Sequence, residues 1–394
     1  MPASSSENSP NPPRPPDSWR EFLAFPGFPG KPRVRLCAVF LWGCAVLLAA
    51  TGCRRQDGLT YPGTTWAWAA PDSAGFSSEK LNAFSDAYGG TGLIVHGGKL
   101  IHEWGDTAFP NDAASATKFF YTFLTLRAME EGRIDSLDDS VAKWAPELLE
   151  LNADLGHKDR KITFRQLLMQ TSGYGLTEAP GERFAYNDHA TSLLAWILFY
   201  RVYERDPMQY DEVLNGEIFR DWMELEHHFT AIHRNSPRGR LRISARDLAR
   251  LGLLHLRNGR WEGKQIVDAD LLQSVMNETL PMDMPRSRGE DAEEIPGLKS
   301  LGGGKNEKNH LGCLGYFWWQ NHLASDGNRL LDAAPPGTRM ASGYGGRFAM
   351  ILIPEYDLVI VWFDVHRGEV WSPFDEIGRQ KVNDMLKELL AARV

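Results

Sequence analysis

Apolar and polar positions alternate near both ends of the chain and recur with helical spacing in the middle. A short helix is predicted over 77–88. Alternating β-type runs follow at 92–96 and 99–104, and Gly97-Gly98 between them is typical of a two-residue hairpin turn. The apolar positions within 116–131 then predict a core helix. A sheet therefore begins near the start of the domain and is followed by a buried helix.

Helical patterns dominate from there to about residue 275, and a stretch rich in Gly, Asp and Glu at 281–309 predicts a surface loop. Strand-type runs return at 316–320, 347–353 and 358–364. Ser372, Pro373 and Asp375 are suited to open a final helix that ends near Ala391. This order predicts an α+β domain, with one antiparallel sheet completed by both ends of the chain and a large, mostly helical insert.

The first 53 residues have the composition of a targeting signal rather than of a folded domain. Residues 1–35 form a Pro-rich extension, predicted to be disordered, that ends in a basic segment. The apolar run 36–52 is about 17 residues long, which is short for a bilayer span of roughly 20. It runs into Leu-Ala-Ala-Thr-Gly-Cys, which resembles the lipobox of bacterial lipoproteins and implies that Cys53 is lipidated.

This pattern predicts a protein of the bacterial cell envelope, held to a membrane through Cys53 with its domain outside the cytoplasm. An uncleaved single-pass anchor is the alternative, and it exports the domain equally well. Residues 54–75 lack a hydrophobic period and predict a linker. The folded domain is then expected over 76–394.

Composition removes several classes of function. The 394 residues are 43% hydrophobic and 24% charged, as in an ordinary globular protein, and the net charge of -8 argues against a nucleic-acid partner. The cysteines, Cys37, Cys44, Cys53 and Cys313, form neither a disulfide framework nor a paired zinc motif. The spacing of His227, His228 and His233 fits no common ligand set. No metal is therefore predicted.

Candidate chemistry begins at Ser115-Ala116-Thr117-Lys118, where the core helix is predicted to start. A spacing of three puts serine and lysine on one helix face, and a desolvated lysine can accept the proton of the hydroxyl. The pattern alone is not specific, because the pairs Ser77 with Lys80 and Ser140 with Lys143 repeat it. For any one instance, capping or surface residues are the more common explanation.

The segments around Ser115 distinguish it from the other two pairs. Characteristic stretches occupy 128–141, 162–173, 180–188, 244–254 and 261–267. With them, the chain from about 76 to 394 resembles the superfamily of serine β-lactamases and penicillin-binding proteins, in the branch of AmpC-type lactamases, D-aminopeptidases and lactamase-fold esterases. The resemblance implies a β-lactamase/transpeptidase-like fold, with a cleft between the sheet and the helical insert.

The resemblance also implies roles for individual residues. Ser115 matches the acylated nucleophile, Lys118 its partner and Tyr186 the tyrosine of the second motif, which relays a proton to the leaving group. The third motif corresponds to Tyr344, Gly345 and Gly346. The oxyanion hole would consist of the backbone amides of Ser115 and Arg347.

Two positions depart from the family pattern. Asp188 stands where the second motif usually has asparagine, and Tyr344 stands where the third usually has lysine or histidine. Both changes make the cleft less attractive to an anion. We therefore expect a neutral or cationic ester or amide as substrate, unless Arg347 restores the charge. A Lys118 paired with Asp188 would stay protonated, which leaves Tyr186 as the base.

The sequence thus predicts an exported, membrane-anchored serine hydrolase that acts on a small-molecule or peptide ester or amide through an acyl-enzyme on Ser115, without a metal or organic cofactor. β-Lactamase or D-Ala-D-Ala carboxypeptidase activity is one alternative. A non-catalytic envelope protein that binds peptides or peptidoglycan fragments on the same fold is another. Retention of Ser115, Lys118 and Tyr186 together favours catalysis.

Overall fold

The computed structural model describes residues 58–205, 211, 214–215, 219–227, 230–231, 240–300, 302–305, 309–366 and 376–394. The predicted signal segment, Cys53 and the residues predicted to open the last helix lie outside these ranges. In the described part of the chain, no helix combines the length and apolarity that a bilayer span requires.

A seven-stranded sheet forms the centre of the domain, in the order β2-β1-β12-β11-β10-β9-β8. Its strands are β1 (Thr91–His96), β2 (Lys99–Trp104), β8 (Leu314–Gly315), β9 (Trp318–Gln320), β10 (Arg339–Gly343), β11 (Phe348–Ile353) and β12 (Leu358–Phe363). Short pairings outside it involve β3 (Asn111–Asp112), β4 (Thr230–Ala231), β5 (Leu241–Ile243), β6 (Arg260–Trp261) and β7 (Lys264–Gln265).

Helices cover the sheet and form the insert. They are α1 (Ser78–Tyr88), α2 (Phe119–Glu130), α3 (Phe164–Leu168), α4 (Asp188–Trp196), α5 (Phe219–Trp222), α6 (Ala245–Leu256), α7 (Ala269–Asn277) and α8 (Glu376–Leu390). Helix α4 continues as a π-helical turn over Ile197–Val202. The predicted α+β architecture is confirmed.

Pairing of β1 with β12 joins the two ends of the domain, as the sequence predicts. The two strands are antiparallel, with Leu93 opposite Val361. Every residue of β12 is buried, as expected for a strand covered on both faces. Helix α6 packs against β1, β11 and β12, and Gly252 permits this approach, since a Cβ there would lie 2.8 Å from Met350 Sδ. The sheet is thus a rigid base on which the insert is built.

Two details of the sequence-based description are wrong. Residues 58–75, predicted as part of a linker, pack against the domain: Tyr61 and Trp66 are buried, and Trp66 Nε1 donates to the Arg246 carbonyl at 3.1 Å. Strand β10 was not predicted at all, because its sequence Arg-Met-Ala-Ser-Gly has few β-branched or aromatic residues. Its burial between β9 and β11 comes from the sheet, not from local propensity.

Candidate active site

Ser115 lies on a short 3₁₀ turn, Ala114–Thr117, that connects β3 to the buried helix α2. Ala114 has a φ of 50°, in the left-handed region that is unfavourable for a residue with a Cβ. Its backbone N–H donates to Asp112 Oδ1 at 3.0 Å, which helps to hold this conformation. Strained backbone of this kind is often found at functional sites, where the surrounding structure over-determines it.

Lys118 follows one turn later and is almost fully buried, with 3% of its surface exposed. Its Nζ forms an ion pair with Asp188 and lies 4.2 Å from the centroid of the Tyr186 ring. The Tyr186 side chain is also one of the groups that act to raise the pKa of Lys118. The structure thus brings together three of the residues that the sequence singled out.

The environment of Lys118 determines its charge. Burial acts to lower the pKa of this ammonium group, but the Asp188 carboxylate and the Tyr186 hydroxyl outweigh burial and hold the pKa above its ordinary value. The raised pKa favours the charged form of Lys118 over the neutral base that desolvation alone would favour. Lys118 thus presents a positive charge to Tyr186.

The second motif is arranged by the start of α4. Asn187 is the N-cap of this helix: its Oδ1 accepts from the Ala190 N–H at 2.9 Å, and its Nδ2 donates to the Tyr174 carbonyl at 2.8 Å. Because Asn187 makes these backbone contacts, Asp188 in the first turn remains directed to Lys118. The carboxylate that departs from the family pattern is therefore the group that meets the lysine.

Two described stretches, 294–300 and 302–305, contact the start of α4 beside this ion pair. Gly303 accepts a hydrogen bond from the Asp188 N–H at 2.9 Å, and Gly302 lies so close to the Asp188 carboxylate that a Cβ would have no room. His189 contacts the first of these stretches, since its Nδ1 lies 2.8 Å from Glu294 Oε1 and its Nε2 3.1 Å from the Ser300 carbonyl. Glu294 lies within the stretch 281–309 that the sequence predicts as a surface loop, yet its side chain is only 7% exposed.

The third motif approaches the nucleophile from the sheet. At the end of β10, a Cβ on Gly343 would lie 2.7 Å from the Ala113 carbonyl oxygen and 3.2 Å from the Ala116 nitrogen. Only glycine therefore lets the strand rest directly on the Ser115 turn. Tyr344 follows with a φ of 46° and is 53% exposed. The site thus combines a buried cation, a turn bearing serine and an exposed tyrosine.

Arg347 closes the turn Tyr344–Gly346. Its guanidinium pairs with Asp364, and its backbone N–H donates to the Tyr344 carbonyl over a long 3.4 Å. The side chain is thus already engaged with an acid of its own. The role of the Arg347 and Ser115 amides as oxyanion donors stays a prediction.

Arg240 is a site residue that sequence reasoning missed. Its Nη2 donates to Asp112 Oδ2 at 2.5 Å and to the Tyr344 hydroxyl at 3.2 Å, which ties the strand before Ser115 to the third motif. Arg240 is more than 100 residues from either partner along the chain, and no local pattern marks it. Only the tertiary fold reveals this contact.

The other two serine-lysine pairs are structural. Ser77 accepts from the Lys80 N–H at the start of α1, and Ser140 accepts from the Ala142 N–H at a 3₁₀ turn, both at 3.3 Å. Their lysine side chains are exposed. Among the three pairs, only that of Ser115 has a buried lysine. Across the described ranges, no group of three or more His, Cys, Asp or Glu side chains could hold a metal ion.

Comparisons with known proteins show the family and the fold of the chain. The model of the Beta-lactamase family matches residues 79–363. An uncharacterized protein of Alkalihalophilus pseudofirmus is 23% identical over 326 residues, which cover 74% of this chain and 88% of that protein.

Two solved structures share the fold. A putative 6-aminohexanoate-dimer hydrolase from Bacillus anthracis has a TM-score of 0.52 and 21% identity, over 83% of this chain and 85% of that one. EstCE1, described as a hydrolase with promiscuous acyltransferase activity, has a TM-score of 0.50 and 13% identity, over 80% and 98%.

Fold and site together define a serine hydrolase with the β-lactamase/transpeptidase-like architecture. The chain belongs to the Beta-lactamase family.

The close approach of β10 to the Ser115 turn gives a first prediction. Gly343→Ala should lower the free energy of unfolding by about 1–3 kcal/mol, because overpacking displaces either the strand or the turn. It should also slow labelling of Ser115 by a fluorophosphonate. Gly63→Ala is the control, since a Cβ there meets nothing within 4 Å. Urea unfolding and labelling rates measure both effects, and equal behaviour of the two variants would refute the packing argument.

Proposed function

We propose that the protein hydrolyses an ester or amide through an acyl-enzyme on Ser115. The observation that carries this proposal is the environment of Lys118, three residues after Ser115: its side chain is buried, paired with Asp188 and in contact with the Tyr186 ring. A cation fixed in this way stabilises the negative charge that Tyr186 acquires when its phenol loses a proton. Tyr186 then serves as the base for Ser115.

The reaction proceeds in two steps, acylation of Ser115 and hydrolysis of the acyl-enzyme. Ser115 Oγ attacks the substrate carbonyl carbon while its proton passes to the Tyr186 phenolate, and the backbone amides of Ser115 and Arg347 bind the oxyanion. The carbonyl–heteroatom bond breaks, and the Tyr186 proton leaves with the alcohol or amine. Water then attacks the acyl-enzyme and gives one proton to Tyr186; as the bond between Ser115 Oγ and the acyl carbon breaks, Tyr186 returns that proton to Ser115 Oγ and the acid is released.

Charge at the site favours an uncharged substrate. Within the described residues, each cation around the Ser115 turn has a carboxylate partner: Lys118 with Asp188, Arg240 with Asp112 and Arg347 with Asp364. A substrate carboxylate would gain little from these neutralised pairs. This argues for a neutral ester or amide over a β-lactam or a D-Ala-D-Ala peptide. The names of the two similar hydrolases agree with ester or amide chemistry in general terms.

Intact mass tests the acyl-enzyme. The domain treated with a fluorophosphonate should gain one adduct, which Ser115→Ala abolishes, whereas treatment with a penicillin should leave no adduct. Ser140→Ala is the matched control, because it removes the serine of a pair with the same spacing but an exposed lysine.

Penicillin turnover must be measured in parallel, since a rapidly hydrolysed penicillin also leaves no adduct. Turnover of penicillin would favour the β-lactamase alternative. An adduct that survives in Ser115→Ala would remove Ser115 from the mechanism. Absence of adducts with either reagent would favour the non-catalytic binding protein.

A pH profile distinguishes Tyr186 from Lys118 as the base. In the wild type Lys118 keeps its proton up to a pKa above the ordinary value, so charge on Lys118 persists through neutral and mildly alkaline pH. In Asp188→Asn, burial is no longer opposed by the carboxylate, and the Lys118 pKa falls. If Lys118 must be charged, the alkaline limb of kcat/KM moves to lower pH.

If neutral Lys118 were the base, the same variant would instead gain activity at lower pH, because its rising limb would move. Asp357→Asn is the control: Asp357 pairs with Arg257 at the end of β11 and β12 that lies opposite the third motif, and asparagine tolerates its φ of 48°. This variant should keep the wild-type profile.

We also propose, from the sequence alone, that the chain is exported and anchored to a bacterial membrane through a lipid on Cys53. In a bacterial host the full chain should incorporate labelled fatty acid and partition into detergent, and Cys53→Ser should lose both properties. Cys37→Ser, within the same apolar run, should retain both. Membrane association without lipid incorporation in the wild type would favour the uncleaved anchor instead.

A further inference from the structure

We propose that the Tyr344 hydroxyl donates a hydrogen bond to an uncharged oxygen of the substrate, and that Arg240 is the positioning residue that aims this hydroxyl. This inference rests on the proposed ester or amide hydrolysis and assigns a recognition group within it. In the family pattern a cation occupies the position of Tyr344. Here that position holds Tyr344, and the cation is Arg240, which contacts the Tyr344 hydroxyl.

The direction of the hydrogen follows from the chemistry of the two side chains. A guanidinium group has only donors, so in the 3.2 Å contact with Arg240 Nη2 the Tyr344 oxygen is the acceptor. The hydroxyl hydrogen then points away from Arg240. Tyr344 is half exposed at the end of β10, directly after the glycine that rests on the Ser115 turn. A bound substrate can therefore reach this donor.

Arg240 is itself held in place. Its Nε and Nη2 donate to the two oxygens of Asp112, at 3.3 and 2.5 Å, and its guanidinium carbon lies 6.0 Å from the centroid of the Tyr344 ring. Asp112 neutralises the charge of Arg240, so the pair orients the tyrosine without attracting anions. A neutral acceptor such as an ether, hydroxyl or amide oxygen is the partner that suits this donor.

The same contacts connect two strained positions. Ala114, bonded to Asp112, and Tyr344, bonded to Arg240, are both non-glycine residues with positive φ, at 50° and 46°. Such conformations persist where surrounding contacts over-determine them. Arg240 thus holds the turn that carries Ser115 at a fixed distance from Tyr344, the residue that contacts the substrate.

A double-mutant cycle in kcat/KM tests the inference. Tyr344→Phe removes only the hydroxyl and should lower kcat/KM about three- to tenfold for a substrate with a suitable acceptor, as expected for one hydrogen bond. In an Arg240→Gln background the same change should have almost no effect, because the hydroxyl is no longer aimed. This comparison remains valid even if Arg240→Gln lowers activity for other reasons.

Two ester pairs of equal length identify the acceptor. In the acyl group, p-nitrophenyl butyrate is compared with p-nitrophenyl methoxyacetate; in the alcohol, butyl acetate with 2-methoxyethyl acetate. The loss in Tyr344→Phe should be greater for the ether-bearing ester in at least one pair. Tyr356→Phe is the matched control, because Arg393 lies over that ring far from the third motif. It should leave all four rates unchanged.

An equal effect of Tyr344→Phe in both backgrounds would overturn the role of Arg240, and an equal effect on both esters of each pair would overturn the donor role of Tyr344. Labelling by the fluorophosphonate separates these failures from failure of the proposed function. If Ser115 is labelled in Tyr344→Phe and in the wild type alike, the acyl-enzyme stands and only the recognition group is wrong.

Discussion

The buried ammonium group of Lys118 is the constraint on which the rest of the site depends. A lone charge away from water is costly, and removing one member of a buried ion pair costs about 3–5 kcal/mol. The chain meets this demand with the Asp188 carboxylate and the Tyr186 hydroxyl. These two residues are separated by the N-cap Asn187, so the start of α4 places both against the lysine at once.

A part of the chain that is distant in sequence packs beside this ion pair. Gly302 and Gly303 lie against Asp188, and the neighbouring His189 contacts Glu294 and Ser300. Exclusion of water strengthens the attraction between Lys118 and Asp188, because the local dielectric falls. Backbone outside the helices and strands therefore forms part of the surroundings of this ion pair.

Close packing of the sheet against the nucleophile is the second constraint. Gly343 lets β10 touch the Ser115 turn, and the strained residues Ala114 and Tyr344 are held on either side of that contact. Strain of this kind requires a rigid base, and the buried strands β11 and β12 with α6 behind them provide it. The fold thus supplies to the active site a geometry that no local sequence preference would favour.

The sequence by itself determined the elements with a strong period or distinctive turn residues: the β1–β2 hairpin, the apolar helix α2, the last two strands and the final helix. It also pointed to Ser115, Lys118, Tyr186 and Asp188, because motif spacing survives in the order of residues. Tertiary structure alone decided that β10 is a strand and that Trp66 is buried. It also decided that Glu294 pairs with His189 and that Arg240 joins Asp112 to Tyr344. These depend on contacts between residues far apart in sequence, and a local pattern carries no information about which distant partner will complete a buried charge or fill a sheet.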